Sequence, residues 1–208
     1  TVNIALDTIK LGKQALVFVG TKQSAEKAAE EIAKKVESSS VNVQQLSVLA
    51  DDARHALSRP TKQCERLALC LRKGIAFHHS GLTSKQRQLI EQNFRKGAIK
   101  IICCTPTLAS GVDLPAFRAV VRDLKRFSND TYYGWGSQWI PVLEYHQMAG
   151  RAGRPKFDSE GQAVTIANSK SHAKEIYERY VCGEPEPIDS KLAVEPVLRM
   201  YVLSLIAT

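Results

Sequence analysis

An arginine pair set among small residues suits phosphate chemistry, and one lies in Gln147-Met148-Ala149-Gly150-Arg151-Ala152-Gly153-Arg154-Pro155. The glycines and alanines let backbone approach a ligand closely while both guanidiniums point the same way. A terminal phosphate fits such a site, because arginine makes bidentate, charge-assisted bonds and offsets charge in the transition state. A Gly/Arg loop that merely turns at the surface would read similarly, so the segment needs company.

Two further segments supply it. Thr105-Pro106-Thr107-Leu108-Ala109-Ser110-Gly111-Val112-Asp113-Leu114-Pro115 directly follows an apolar run ending at Cys104. Hydroxyls and amides at a strand end can hold phosphate oxygens, and Asp113 can accept from a ribose hydroxyl. A capped turn in which Asp113 bonds only backbone is the alternative. Phe77-His78-His79-Ser80-Gly81-Leu82-Thr83 again joins a strand to a capped helix. Neighbouring histidines on a strand point apart, which disfavours a metal site and favours a phosphate-contacting loop at a helix start. Between these segments Phe127, Tyr132, Tyr133, Trp135 and Trp139 crowd together, with Gly134 and Gly136 as turn signals. They read as a β-hairpin whose rings either stack on bases, at ~1–3 kcal/mol per base, or pack within the protein.

The elements that position these loops alternate between strand and helix. Ala15 to Val19 reads as a buried strand. Ala25, Ala28, Ala29, Ile32, Ala33 and Val36 then mark one face of a helix, with Glu30/Lys34 and Glu31/Lys35 paired on the other. Residues 38–60 are polar and read as an irregular insertion. Thr61 to Lys73 is expected to be helical, and Ile75 to Phe77 a strand. Thr83 opens a helix with a Thr83-x-x-Gln86 capping box, closed by Gly97. Ile99 to Cys104, Ala119 to Val121 and Ala163 to Ile166 complete the strands. Alternation predicts an α/β fold, a parallel sheet with helices on both faces and ligands at the carboxyl ends of the strands. Beyond residue 168 the character changes. Glu184-Pro185-Glu186-Pro187 reads as a rigid linker, and Pro196 to Ala207 as the opening helix of a further domain. The expected division is therefore 1–168 and 169–208.

In order and spacing, these segments resemble motifs IVa, V and VI of the Ski-like branch of superfamily 2 helicases, and Val17-Phe18-Val19-Gly20-Thr21-Lys22 resembles motif IV. Within that branch the likeness runs to archaeal DNA repair helicases acting at stalled forks, relatives of the polymerase-theta helicase domain. The resemblance spans nearly the whole chain. It implies a second RecA-like domain followed by the entry to a winged-helix domain. Arg151 and Arg154 would be arginine fingers reaching ATP, with Gln147 near the γ-phosphate. Gly111, Asp113 and Gly150 would line the nucleotide cleft. Thr21, Gly81 and Thr105 would touch phosphates of the tracking strand, with His79 and Thr107 beside them. A hairpin carrying Tyr132, Tyr133, Trp135 and Trp139 would pry strands apart. Asp113 is a departure, since many relatives carry Asn there; either can bond ribose.

No G-x-x-x-x-G-K-[ST] loop and no Asp-Glu-x-His box occur in the chain. ATP and Mg²⁺ would therefore be held mainly by a preceding RecA-like domain, the intramolecular partner, and this chain alone should not hydrolyse ATP. Expected partners are single-stranded or forked DNA, with travel 3′ to 5′. RNA is the alternative, because such motors grip backbone and say little about the sugar. A non-catalytic nucleic-acid-binding module is another, against which the intact Arg151 and Arg154 count.

Composition agrees. The 208 residues are 44% hydrophobic and 24% charged, with a net charge of +8. The positive charge sits in residues 1–169, which carry 24 basic and 15 acidic side chains, a balance of +9. A basic surface suits a polyanion, or simple solubility. No membrane span or signal-peptide layout is visible, so a cytoplasmic, nucleoid-associated protein is expected. Cys64, Cys70, Cys103, Cys104 and Cys182 form no C-x-x-C pair, so neither a metal nor a disulfide scaffold is expected.

Overall fold

Runs of small and β-branched apolar residues form a sheet buried on both faces. The structure, a computed structural model, describes residues 1–36, 43–130, 134–153, 158, 160–187 and 195–206. Strands β1 (Ala15–Phe18), β2 (Ile75–His78), β3 (Ile101–Cys104) and β4 (Arg118–Val121) are buried throughout. With β7 (Gln162–Thr165) they form a five-stranded sheet in the order β2-β3-β1-β4-β7. Each neighbouring pair is parallel. The chain leaves the central β1 for β2 and β3 on one side, then crosses to β4 on the other. The loops beyond the carboxyl ends of β1, β3 and β4 therefore diverge around a crevice.

Helices cover both faces. α2 (Lys22–Lys35) starts at Thr21, whose hydroxyl accepts from the Ser24 N–H at 3.1 Å. Ala25, Ala28, Ala29, Ile32 and Ala33 on its inner face are buried. α5 (Ser84–Arg95) carries the expected capping box between Thr83 and Gln86, and Gly97 follows it with φ +77°. His78 reaches Glu91 on α5, whereas His79 reaches Glu26 on α2. Successive side chains of extended backbone project oppositely, so these helices lie on opposite faces.

One helix departs from the sequence expectation. Of residues 38–60, expected as an irregular insertion, the described part contains α3 (Val43–Arg54), whose Leu46, Leu49, Ala50 and Ala53 are buried. Their i, i+3, i+4, i+7 spacing is helical, but Gln44 and Gln45 ahead of the stripe and Ser47, Asp51 and Asp52 within it dilute the signal. α3 packs on α4 (Lys62–Leu71), and the Gln86 amide ties both to α5 by donating to the Ala53 carbonyl and the Cys64 sulfur. Ahead of β1, α1 (Val2–Lys10) is held by Arg118, which bonds Asp7, Thr8 and the Ile4 carbonyl.

Past β4 the expected hairpin is present, with β5 (Lys125–Asp130) antiparallel to β6 (Gly134–Trp139) and Lys125 opposite Trp139. α7 (Val142–Ala149) follows it directly. After β7, α8 (Lys170–Ile176) runs into a π-helical turn, Tyr177–Val181. Ile176 and Tyr180 are buried in the same core as the sheet, so the packed unit extends past residue 168 to Tyr180. The last helix, α9 (Glu195–Ile206), leaves Met200, Leu203, Leu205 and Ile206 exposed.

Candidate nucleic-acid and nucleotide interfaces

Beyond the carboxyl ends of the strands lies a cleft of about 590 Å³. Its walls bring together Thr21 after β1, Thr105 and Thr107 after β3, and Gln147 on α7. Thr105 and Thr107 share a hydroxyl–hydroxyl hydrogen bond of 2.9 Å, and Thr107 opens the short helix α6 (Thr107–Gly111). Gln147, expected beside the γ-phosphate, thus lines the same cleft as the threonines expected to grip a strand.

The cleft also holds residues that the sequence reading passed over: Lys22, Asp123, Lys125, Arg126 and Glu144. The first two positions past each parallel strand were the available signal, and after β4 these are Arg122 and Asp123. Asp123 accepts from the Gly20 N–H at 2.9 Å, fastening the loop after β1 to the one after β4. Burial raises the Asp123 carboxyl, but hydrogen bonds from Arg122 and Gly20 outweigh it and hold the group below its ordinary range.

His79 is not available to a phosphate. Its side chain is 1% exposed and its ring stacks on Phe77. Nδ1 accepts the Gly81 N–H at 3.1 Å, which leaves the ring proton on Nε2 to donate to Glu26 at 3.2 Å. A charged Glu26 suits this pairing. Burial raises its carboxyl, but bonds and charge from Gln63, Arg66 and His79 bring it below the usual value. His79 therefore shapes the loop from beneath, and the Gly81 amide is already engaged. A Cβ on Gly81 would fall 3.0 Å from that ring nitrogen. The motif that suggested ligand contact is here an internal brace, with Ser80 on the cleft wall.

Separate from the cleft, Arg151 and Asp113 meet. Arg151 Nη1 donates to Asp113 Oδ1 at 3.0 Å, and its Nε donates to the Ala109 carbonyl at 3.0 Å. The Asp113 side chain is 90% exposed, Gly111 is open, and Gly150 ends α7 one residue before Arg151. Backbone sets this meeting. Ala116 donates to the Arg151 carbonyl at 2.9 Å and Gly153 donates to the Ala116 carbonyl at 2.7 Å, closing a parallel bridge between Ala116 and Ala152. Gly153 has φ +96°, and a Cβ on Gly161 would lie 2.3 Å from its nitrogen. Only glycine fits either position without displacing the loop.

Arg154, Tyr132 and Tyr133 lie outside the described residues. The Trp135 backbone pairs with Asn129. Trp139 sits at the hairpin base, its ring under Lys125 and Arg179 and beside Tyr180. These contacts make it a packing residue, away from the tip. Among the described residues no three His, Cys, Asp or Glu gather as a metal site, and no helix is long and apolar enough to cross a membrane.

The five-stranded parallel sheet, with helices on both faces and phosphate-suited loops at its carboxyl ends, has the architecture of a RecA-like domain. Residues 2–156 match the family described as the helicase conserved C-terminal domain, and the chain belongs to that family. Its relatives include proteins named ATP-dependent DNA helicase Hel308. That of Methanocella arvoryzae is 44% identical over 209 residues, covering 99% of this chain and 27% of the relative. That of Pyrococcus horikoshii is 42% identical over 205 residues, covering 99% and 27%. That of Pyrobaculum calidifontis is 43% identical over 202 residues, covering 97% and 28%. The chain thus spans about a quarter of the length of the curated relatives it matches. The likeness to archaeal helicases of the Ski-like branch, drawn from the motifs, stands.

Proposed function

We propose that this domain is the C-terminal motor half of an ATP-dependent DNA helicase moving 3′ to 5′, as the names of its relatives and the motif resemblance suggest. ATP with Mg²⁺ would bind mainly on a preceding RecA-like domain, since this chain has no Walker A loop. Arg151, with Arg154, would reach that nucleotide as an arginine finger, and Asp113 and Gly111 would line the cleft beside it. The phosphates of single-stranded or forked DNA would run along Thr21, Thr105 and Thr107, with Lys22 and Lys125 adding positive charge. The hairpin segment, whose sequence includes Tyr132, Tyr133 and Trp135, would part the strands, and α9 would lead into a winged-helix domain.

The observation that carries this reading is the pairing of Arg151 with an exposed Asp113 on a surface distinct from the threonine-lined cleft. A motor needs two such sites, one for fuel and one for track. The fit to a nucleotide is partial in a specific way. Arg151 can present N–H donors to a phosphate and Asp113 an acceptor to a sugar hydroxyl, but among the described residues nothing at this face forms a cradle for a triphosphate.

In a protein that joins this domain to its ATP-binding partner, Arg151→Ala should lower turnover by about 10³-fold, the lower end of what arginine fingers supply. KM for ATP should change far less, because a finger acts in the transition state. Normal kcat at saturating ATP would refute the assignment.

A further inference from the structure

Helix α7 carries Gln147 and leads directly into Arg151, so whatever fixes α7 also fixes both faces of the motor. Its own sequence does this poorly. The N-cap residue is Pro141, which provides no side-chain acceptor, and the first amides of a helix have no partner within it. The missing acceptor comes from the linker more than forty residues downstream. Glu186 Oε1 accepts the Val142 N–H at 2.8 Å, and Oε2 accepts the Leu143 N–H at 3.2 Å. Both carboxylate oxygens are thus used on one helix start, where the helix dipole also favours negative charge.

The path to this contact is built with little freedom. Gly183 follows the π-helical turn at a point where a Cβ would lie 1.9 Å from the Arg179 carbonyl oxygen, so a side chain there would displace the backbone. Pro185 and Pro187 flank Glu186 and restrict its backbone before the contact forms. Other contacts hold the same helix. His146 Nε2 meets the Tyr180 carbonyl at 2.9 Å, and the Tyr180 hydroxyl donates to the Ile140 carbonyl at 2.8 Å, just ahead of α7. Arg126 of the hairpin donates to both oxygens of Glu144, at 3.1 and 2.8 Å. α7 is therefore the element on which hairpin, linker and the Arg151 loop converge.

We propose that Glu186 is a positioning residue for ATP turnover, capping α7 from the linker so that Arg151 stands where it can reach the nucleotide. This rests on the reading of Arg151 as an arginine finger. A finger displaced by about an ångström loses catalytic power while substrate binding survives, because the geometry matters most in the transition state.

The test has two parts. Amide exchange in this chain should show Val142 and Leu143 protected, and Glu186→Ala should release those two amides while the sheet stays protected. In the longer protein, Glu186→Ala should lower kcat about tenfold with KM for ATP nearly unchanged. Glu186→Gln, which keeps one acceptor oxygen, should recover most of that loss. In an Arg151→Ala background, adding Glu186→Ala should cost nothing more, since both act through one step. Full kcat in Glu186→Ala, or the same loss with and without Arg151, would overturn the proposal. If Arg151→Ala alone left turnover intact, the finger reading would fall; a crippled Arg151→Ala beside an active Glu186→Ala would sink only the role of Glu186.

Discussion

His78 and His79 are adjacent, buried and held by different helices, and their surroundings make the fold sensitive to acid. Burial disfavours the charged ring of each, and although Glu91 and Glu26 pull the other way, both histidines sit below their ordinary value of 6.5. In the unfolded chain they take up protons first, so acidification favours unfolding. Their stabilising contribution is complete above that value and is lost as pH falls from it toward the depressed values of the fold. Glu26 and Asp123 act in the same sense only lower, starting beneath 4.5 and 3.8. The melting temperature should therefore already fall between about pH 6.5 and pH 4.5, ahead of carboxylate titration. A His78→Gln, His79→Gln variant should show a flatter profile in that window. An unchanged slope would mean that other groups carry the acid sensitivity. His79 was visible in the sequence as a candidate phosphate contact. The actual work of the histidine pair became legible only once α2 and α5 were seen on opposite faces, each supplying one carboxylate.

Among the elements, the strands and capped helices were readable because each is specified locally. Short strand runs of three to six residues, Thr83 with Gln86, and Gly97 each carry their own signal. The segment around α3 was not, since a stripe of four apolar residues among glutamines and aspartates reads as polar until α4 is there to cover it. The hairpin shows the same division. Its turn signals and aromatic content were plain, but which rings pack and which face out depended on Tyr180 and Arg179 arriving from the far end of the chain. Trp139→Ala removes a half-buried ring with two cations over it, at a cost of about 2 kcal/mol. For a chain of this size that corresponds to a melting temperature lower by about 4–8 °C. Thermal unfolding followed by circular dichroism measures this directly; a variant that melts with the wild type would return Trp139 to the exposed, strand-parting group.

For the whole molecule, the uneven charge noted in the sequence becomes a placed charge, because Lys22, Lys125 and Arg126 all border the threonine-lined cleft. Binding of a labelled single-stranded oligonucleotide to this chain should weaken linearly in log–log terms as salt rises. Each phosphate neutralised should contribute a slope of about −0.7. Lys22→Ala with Lys125→Ala should reduce that slope by about 1.4; an unaltered slope would move the track to another surface. Local chemistry in the sequence was enough to define the α/β class, the order of the phosphate-suited loops and the family they resemble. Those features depend on near neighbours: strand runs, caps, and residues three or four apart. Only the tertiary structure decided that Arg151 meets Asp113, thirty-eight residues away, through a backbone bridge that two glycines permit. It alone turned Gln147 toward the threonines, buried His79 and set Glu186 on the start of α7. A one-dimensional pattern records which face of an element avoids water. What that face meets depends on how the chain crosses the sheet, and the contacts that bring Asp123 to Gly20, Arg151 to Asp113 and Glu186 to α7 all span such crossings.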